Sequence, residues 1–201
     1  MSSISIILSY GVFIKPNPDY QVYLDSALNQ SLATDCDYII LCGGVTNPTF
    51  PNLSESESVG THFNEVKPNL KSKIILDTSS LTTPQNLEHA HKLITSKNLN
   101  PSIVNIFCDT IRSPKIFYLA LTVFYPDLSE KEKLEILQNI ALSSNHELAH
   151  NLIRIRGIPL SNSIEIATNQ IIASMLEMHY FDYPDLHEQF VKWRKRQWGI
   201  K

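Results

Sequence analysis

The chain has 201 residues, 43% of them hydrophobic and 18% charged, the composition of a packed globular protein and not of a disordered one. Its net charge of -3 gives no global attraction to nucleic acid or to an anionic membrane surface. No run reaches the ~20 apolar residues that a membrane span needs, and Ile4–Leu8, with no basic region before it, is too short for a signal-peptide core.

Short apolar runs rich in β-branched residues alternate with helical segments, the pattern of a parallel sheet. The first strand is expected over Ile4–Leu8, broken by Tyr10-Gly11 and the Pro16/Pro18 loop. A helix follows from about Tyr20 to Ala33, with Val22, Leu24, Leu28 and Leu32 on its inner side. The second strand, Tyr38–Cys42, ends at Gly43-Gly44, and a polar loop leads to Ser54-Glu55-Ser56-Glu57. There a serine cap and first-turn glutamates open a helix to about Val66. The third strand, Lys73–Leu76, ends at Asp77. Thr82-Thr83-Pro84 then starts a helix to about Lys97, with a hydroxyl cap followed by proline at the first helical position. Strand four, Ile103–Phe107, ends at Cys108-Asp109-Thr110, and Ser113-Pro114 opens a helix to about Tyr125.

After Pro126 no strand is expected. Ser129–Leu142 reads as a helix with a capping box, Asn145–Arg156 as a helix stopped by Gly157 and Pro159, and two more helices follow, one from Ser161 or Ser163 to Tyr180 and one over Pro184–Trp198. The expected organisation is a Rossmann-like α/β domain over residues 1–126, with an all-helical C-terminal portion over 127–201 packed on it. The cysteines, Cys36, Cys42 and Cys108, form no CxxC or Cys/His array. Cys42 and Cys108 each end an apolar run, where a thiol acts as a small core hydrophobe, and a reducing cytoplasm is the simplest setting.

Four blocks stand in a telling order: Tyr38–Gly44, Ser54-Glu55-Ser56, Ile74–Asp77 with Ser80-Leu-Thr-Thr83-Pro-Gln-Asn86, and Ile106–Asp109. Together they resemble the YdcF-like (YdcF/SanA/ElyC-type) family over roughly residues 1–125. That family carries a strand ending in Gly-Gly, a Ser/Ala-Glu-Ala helix start, a Ser-x-x-Thr-x-x-Asn motif and a fourth strand leading to a short polar motif. Family members often have His-x-x-Arg after the fourth strand; here the corresponding places hold Arg112 and Lys115, so no histidine role carries over. The end of strand one reads Ser9-Tyr10-Gly11, where members are often richer in glycine. The chain shows no membrane anchor of the kind some members carry. The resemblance implies a Rossmann-like fold and a ligand site, with S-adenosylmethionine as the single ligand it suggests.

The residues argue for a site on their own account, because in open α/β sheets the ligand crevice lies outside the carboxyl ends of the strands. Gly11, Gly43 and Gly44 are expected to let the backbone approach a ligand. The helices starting at Ser54 and near Thr83 aim positive dipole ends at the crevice, which favours phosphate or carboxylate. Ser80, Thr83 and Asn86 offer polar groups, and Arg112 and Lys115 are placed to balance an anion. Glu55 and Asp109 are candidates for a ribose hydroxyl, a metal or a proton in transit, with Arg112 stabilising negative charge. The structural alternatives are that Gly-Gly is only a turn, that Ser80, Thr83 and Asn86 are caps, and that Glu55 is a first-turn acid. The expected partner is a nucleotide-like or phosphorylated small molecule; no nucleic acid or membrane is expected, and the chain is taken as a monomer or homodimer.

His146-Glu147-Leu148-Ala149-His150 matches H-E-x-x-H, which on a helix sets two zinc ligands on one face with a glutamate to activate water. Glu165, His179 or His187 would have to supply a third ligand. A zinc hydrolase is thus the alternative enzyme reading, and a non-catalytic dimeric module a third. The tail, with Lys192, Arg194, Lys195, Arg196 and Lys201 around Trp193 and Trp198, reads as an amphipathic last helix, with RNA or anionic lipid contact as the other reading.

Overall fold

Six strands make one sheet in this computed structural model, which describes residues 2–143 and 147–160 together with Thr168, Ile171, Glu177, Asp185, Glu188, Gln189 and Lys192. The strands are β1 (Ser3–Leu8), β2 (Tyr38–Cys42), β3 (Lys73–Asp77), β4 (Ile103–Asp109), the two-residue β5 (Ala149–His150) and β6 (Ile153–Ile158). The helices are α1 (Pro18–Ala33), α2 (Glu55–Val66), α3 (Thr83–Ser96), α4 (Ser113–Phe124) and α5 (Glu130–Leu142). The sheet runs β3-β2-β1-β4-β6-β5, parallel throughout except for the β5–β6 pair. This is a Rossmann-like α/β fold.

Side chains of a strand alternate between its two faces, and both faces here are apolar, as a sheet covered by helices on each side requires. Ile4, Ile6, Leu8, Ile40, Val104 and Ile106 pack with Leu87 and Ala90 of α3 and Ile116 and Ala120 of α4. The intervening Ile7, Ile39, Leu41 and Phe107 pack on the opposite side with Tyr23, Leu24 and Leu28 of α1 and Val59 and Phe63 of α2. The three cysteines are free and buried. Burial pushes the Cys42 and Cys108 thiols up, which keeps them protonated core groups.

Two expectations need correction. The inner face of α1 is Tyr20, Tyr23, Leu24, Ala27, Leu28 and Ser31, while Val22 is 62% exposed and Leu32 only partly buried. Tyr20 prolongs the i, i+4, i+8 face that Leu24 and Leu28 define, and Tyr23 and Ala27 lie beside it. The helix expected over Asn145–Arg156 is instead a hairpin, β5 turning into β6 at Asn151, whose φ of 48° is left-handed. Ile153, Ile155 and Ile158 are buried and Arg154 and Arg156 are partly exposed, the period of a strand and not of a helix. β6 lies beside β4 from Val104↔Ile153 to Asp109↔Ile158, so the region after residue 126 is not all-helical. The other helical expectations beyond residue 160 lie outside the described residues apart from the single positions named above, and so does the tail apart from Lys192. Among the described residues no helix is long and apolar enough to cross a membrane.

The strand order reverses between β1 and β4, whose pairing ends at Ile7↔Phe107. Tyr23 of α1 holds them at that point: its buried hydroxyl shares its proton between the carbonyls of Leu8 (2.8 Å) and Phe107 (3.1 Å). Tyr23→Phe leaves the packing and removes that bridge, so it should lower stability by about 1 kcal/mol in urea denaturation. An unchanged midpoint would mean the carbonyls need no such partner.

Candidate functional site

Gly43 and Gly44 do not offer their N–H groups to a ligand. Gly43 N–H donates to the Asp77 carbonyl (3.2 Å) and Gly44 N–H to the Ser80 carbonyl (2.7 Å). Their own carbonyls accept from Ser56 N–H (2.9 Å) and Glu55 N–H (3.0 Å) at the start of α2. The pair is a joint locking β2 to the loop after β3 and to α2. A Cβ on Gly44 would stand 2.6 Å from the Ser80 carbonyl oxygen, and Gly43, at φ +144°, has Glu55 pressed against the same space.

The N-terminus of α2 is likewise self-contained. Ser54 Oγ accepts from Glu57 N–H (3.1 Å) while Glu57 Oε2 accepts from Ser54 N–H (2.9 Å) and Ser54 Oγ (2.7 Å). These bonds from Ser54 hold the Glu57 carboxyl below its usual range. Ser56 Oγ donates to the Asp77 carbonyl (2.9 Å). With its first donors spent within the chain, this helix end is no anion site. Glu55 is buried over Gly43, with the Thr46 hydroxyl donating to its Oε1.

Ser80 and Asn86 also work within the chain. Ser80 Oγ donates to Asn86 Oδ1, and Asp77 Oδ1 accepts from Ser79 N–H (3.2 Å) and Ser80 N–H (3.3 Å), which shapes the loop into α3. Asp77 Oδ2 is buried with no partner. Beside it, a pocket of about 270 Å³ lined by Asp77, Ser79, His89 and Lys92 lies at the β3 edge of the sheet. Topology and charge both favour the β1/β4 switch point over that edge pocket as the ligand crevice.

At the switch point the predicted residues do converge. Tyr10, just past β1, accepts the Asp109 backbone N–H on its hydroxyl and carries the Arg112 guanidinium 4.7 Å over its ring. Tyr20 steadies the same turn, accepting Tyr10 N–H (2.8 Å) and donating to the Gly11 carbonyl (3.2 Å). Gly11 has φ +102° with open space around it, so it serves the turn. Burial holds the Tyr10 and Tyr20 phenols protonated. Asp109 is buried beside them. Arg112 Nη2 reaches Thr83 Oγ1 (2.5 Å), linking the loop after β4 to the first residue of α3.

Glu177 completes this cluster, and the sequence reading missed it. It is 3% exposed and comes from far along the chain. Its Oε1 accepts the Thr83 N–H (3.3 Å), and its Oε2 takes Lys115 Nζ at 2.5 Å with Arg112 Nη2 at 3.9 Å. Lys115 is buried, and burial together with Arg112 lowers it to about 8 against the pull of Glu177. Arg112 Nε remains buried with no hydrogen-bond partner. One signal for Glu177 is in the sequence: between Glu165 and Asp182 it is the single Asp, Glu, Lys or Arg in an otherwise apolar and polar-neutral stretch. An acid so placed needs a buried partner.

The H-E-x-x-H reading loses its helix. Glu147 and Leu148 are in neither helix nor strand, Ala149 and His150 form β5, and His146 lies outside the described residues. The helix turn that would bring residues four apart together is absent at the described residues of the motif, where the strand β5 rises about 3.3 Å per residue. Glu147 pairs with Arg156 (3.7 Å), and the His150 ring sits edge-on to Tyr125 at 5.1 Å. Among the described residues no group of three or more His, Cys, Asp or Glu is arranged to hold a metal ion.

The glycine joint is testable. Gly44→Ala should cost about 1–3 kcal/mol in denaturant unfolding, because backbone and not a flexible side chain blocks the new methyl. Gly60→Ala, inside α2 with only Leu76 and Leu41 methyls nearby, should be neutral or stabilising by up to about 1 kcal/mol. Equal effects of the two would refute the joint. No family model matches the chain, and no curated protein matches it in sequence. The functional reading therefore rests on the geometry of this cluster and on the motifs that carry the resemblance.

Proposed function

We propose that the chain binds a small anionic molecule, nucleotide-like or phosphorylated, outside the carboxyl ends of β1 and β4. One observation carries the reading: buried Lys115, Arg112 with its side chain 11% exposed, and the first N–H of α3 converge on a single carboxylate at the point where the strand order reverses. Buried cations are costly unless something anionic meets them, and a helix N-terminus adds to the same pull. The polar face of Tyr10, with Arg112 stacked on it, and the loop at Gly11 supply the wall next to that anion subsite. S-adenosylmethionine is the ligand to try first, on the strength of the YdcF-like resemblance, and its carboxylate suits the same donors. For turnover, Glu55 and Asp109 are the buried carboxylates that can carry protons, with Arg112 stabilising negative charge.

The test is a thermal-shift titration with S-adenosylmethionine, S-adenosylhomocysteine and common nucleotides. A ligand at a hundred times its Kd adds about 2.7 kcal/mol and raises the melting temperature by several degrees. Lys115→Met should abolish that shift, and a shift that survives in this variant would remove Lys115 from the site. Affinity for the anion should also fall as pH rises through about 8, because Lys115 is charged below that value and neutral above it. Affinity that stays flat into the alkaline range would argue that the anion is met elsewhere.

A further inference from the structure

We infer that Glu177 is an internal stand-in for the ligand's anionic group, and that a phosphoryl group enters the Arg112–Lys115–Thr83 cradle by displacing it. This deepens the anion-binding reading above and rests on it. Two contacts of the Glu177 carboxylate are ones that two oxygens of a phosphoryl group make equally well: one on the Thr83 N–H, one on Lys115 Nζ. The fit is incomplete in a way that selects the ligand class. Two cations share one carboxylate, with Arg112 Nη2 at 3.9 Å, beyond hydrogen-bond reach, while Arg112 Nε is buried with no partner. A phosphoryl dianion brings a second charge and a third oxygen, which a carboxylate lacks. Thr83 Oγ1, already bound to Arg112 Nη2, aligns the guanidinium at the mouth of α3, where these oxygens would sit.

Glu177 is also suited to leave. It joins the cradle across 94 residues from Thr83 and 62 from Lys115, so it belongs neither to the α3 start nor to the α4 start. The donors stay in place on those elements when the carboxylate withdraws. A residue that served only to tie the chain down would gain nothing from leaving an arginine nitrogen unpaired.

The experiment compares wild type with Glu177→Gln, which keeps shape and removes charge, in calorimetric and thermal-shift titrations with inorganic phosphate against chloride of equal ionic strength. Glu177→Gln should melt lower than wild type in chloride, recover in phosphate, and bind phosphate at least about tenfold tighter, or about 1.4 kcal/mol. Equal phosphate affinity in the two proteins would overturn the displacement while leaving the anion site standing. Phosphate binding by neither, with no response to S-adenosylmethionine, would overturn both, whereas phosphate binding by neither with a response to S-adenosylmethionine would overturn the phosphoryl class and keep the site. Should Glu177→Gln fail to fold, carbodiimide labelling of wild type answers instead. Sodium sulfate, a tetrahedral dianion, should raise amine incorporation at Glu177 over sodium chloride of equal ionic strength. Unchanged labelling would overturn the displacement.

Discussion

Positive charge buried at the carboxyl ends of a parallel sheet is the constraint around which this molecule is organised. Arg112 and Lys115 sit within a turn of each other where water is scarce, and burial first, then repulsion from Arg112, lowers the lysine. Such a pair persists only if anions, dipoles and ring faces answer it. Here the answer is assembled from three directions: the Tyr10 ring, the Thr83 hydroxyl and the Glu177 carboxylate. The turn after β1, the start of α3 and a residue near the far end of the chain are thereby tied to one spot.

The neighbouring strand ends are built on the opposite plan. Around Gly43, Gly44, Ser54, Ser80 and Asn86 nearly every donor meets an acceptor of the same chain. These are the residue types that ligand loops use, and here they lock loops to each other instead. The saturated half makes a rigid wall, and the donors left over, with their charge, collect at the β1/β4 switch point. A site needs both: rigidity so that its donors hold their geometry, and donors that the fold itself does not use up.

The sequence carried most of the fold because local signals there agree. Tyr38–Cys42, the Ser129 capping box and the Thr82-Thr83-Pro84 start all sit where composition put them, within a residue or two. β6 is hidden in the sequence because Gly157 and Pro159 look like a helix stop, whereas Ile153-Arg154-Ile155-Arg156 alternates with a period of two. Arg112, Lys115 and Thr83 were legible as a site because all three follow strand ends, where topology gathers chemistry. Glu177 was not, since its partners are fixed by long-range packing and no local rule links it to them. The glycine pair was read as ligand-facing because sequence shows that glycine permits close approach, not what approaches.

The long separation within the cradle has a consequence for the order of events in synthesis. Lys115 precedes Glu177 by 62 residues. At about 5–20 residues per second, the chain exists for on the order of 3–12 s with its cations made and their carboxylate not yet added. The sheet strands through Ile158 are all complete within that interval. The cations of the cradle are therefore made before their own acid, and Glu177 is the last of its groups to be added.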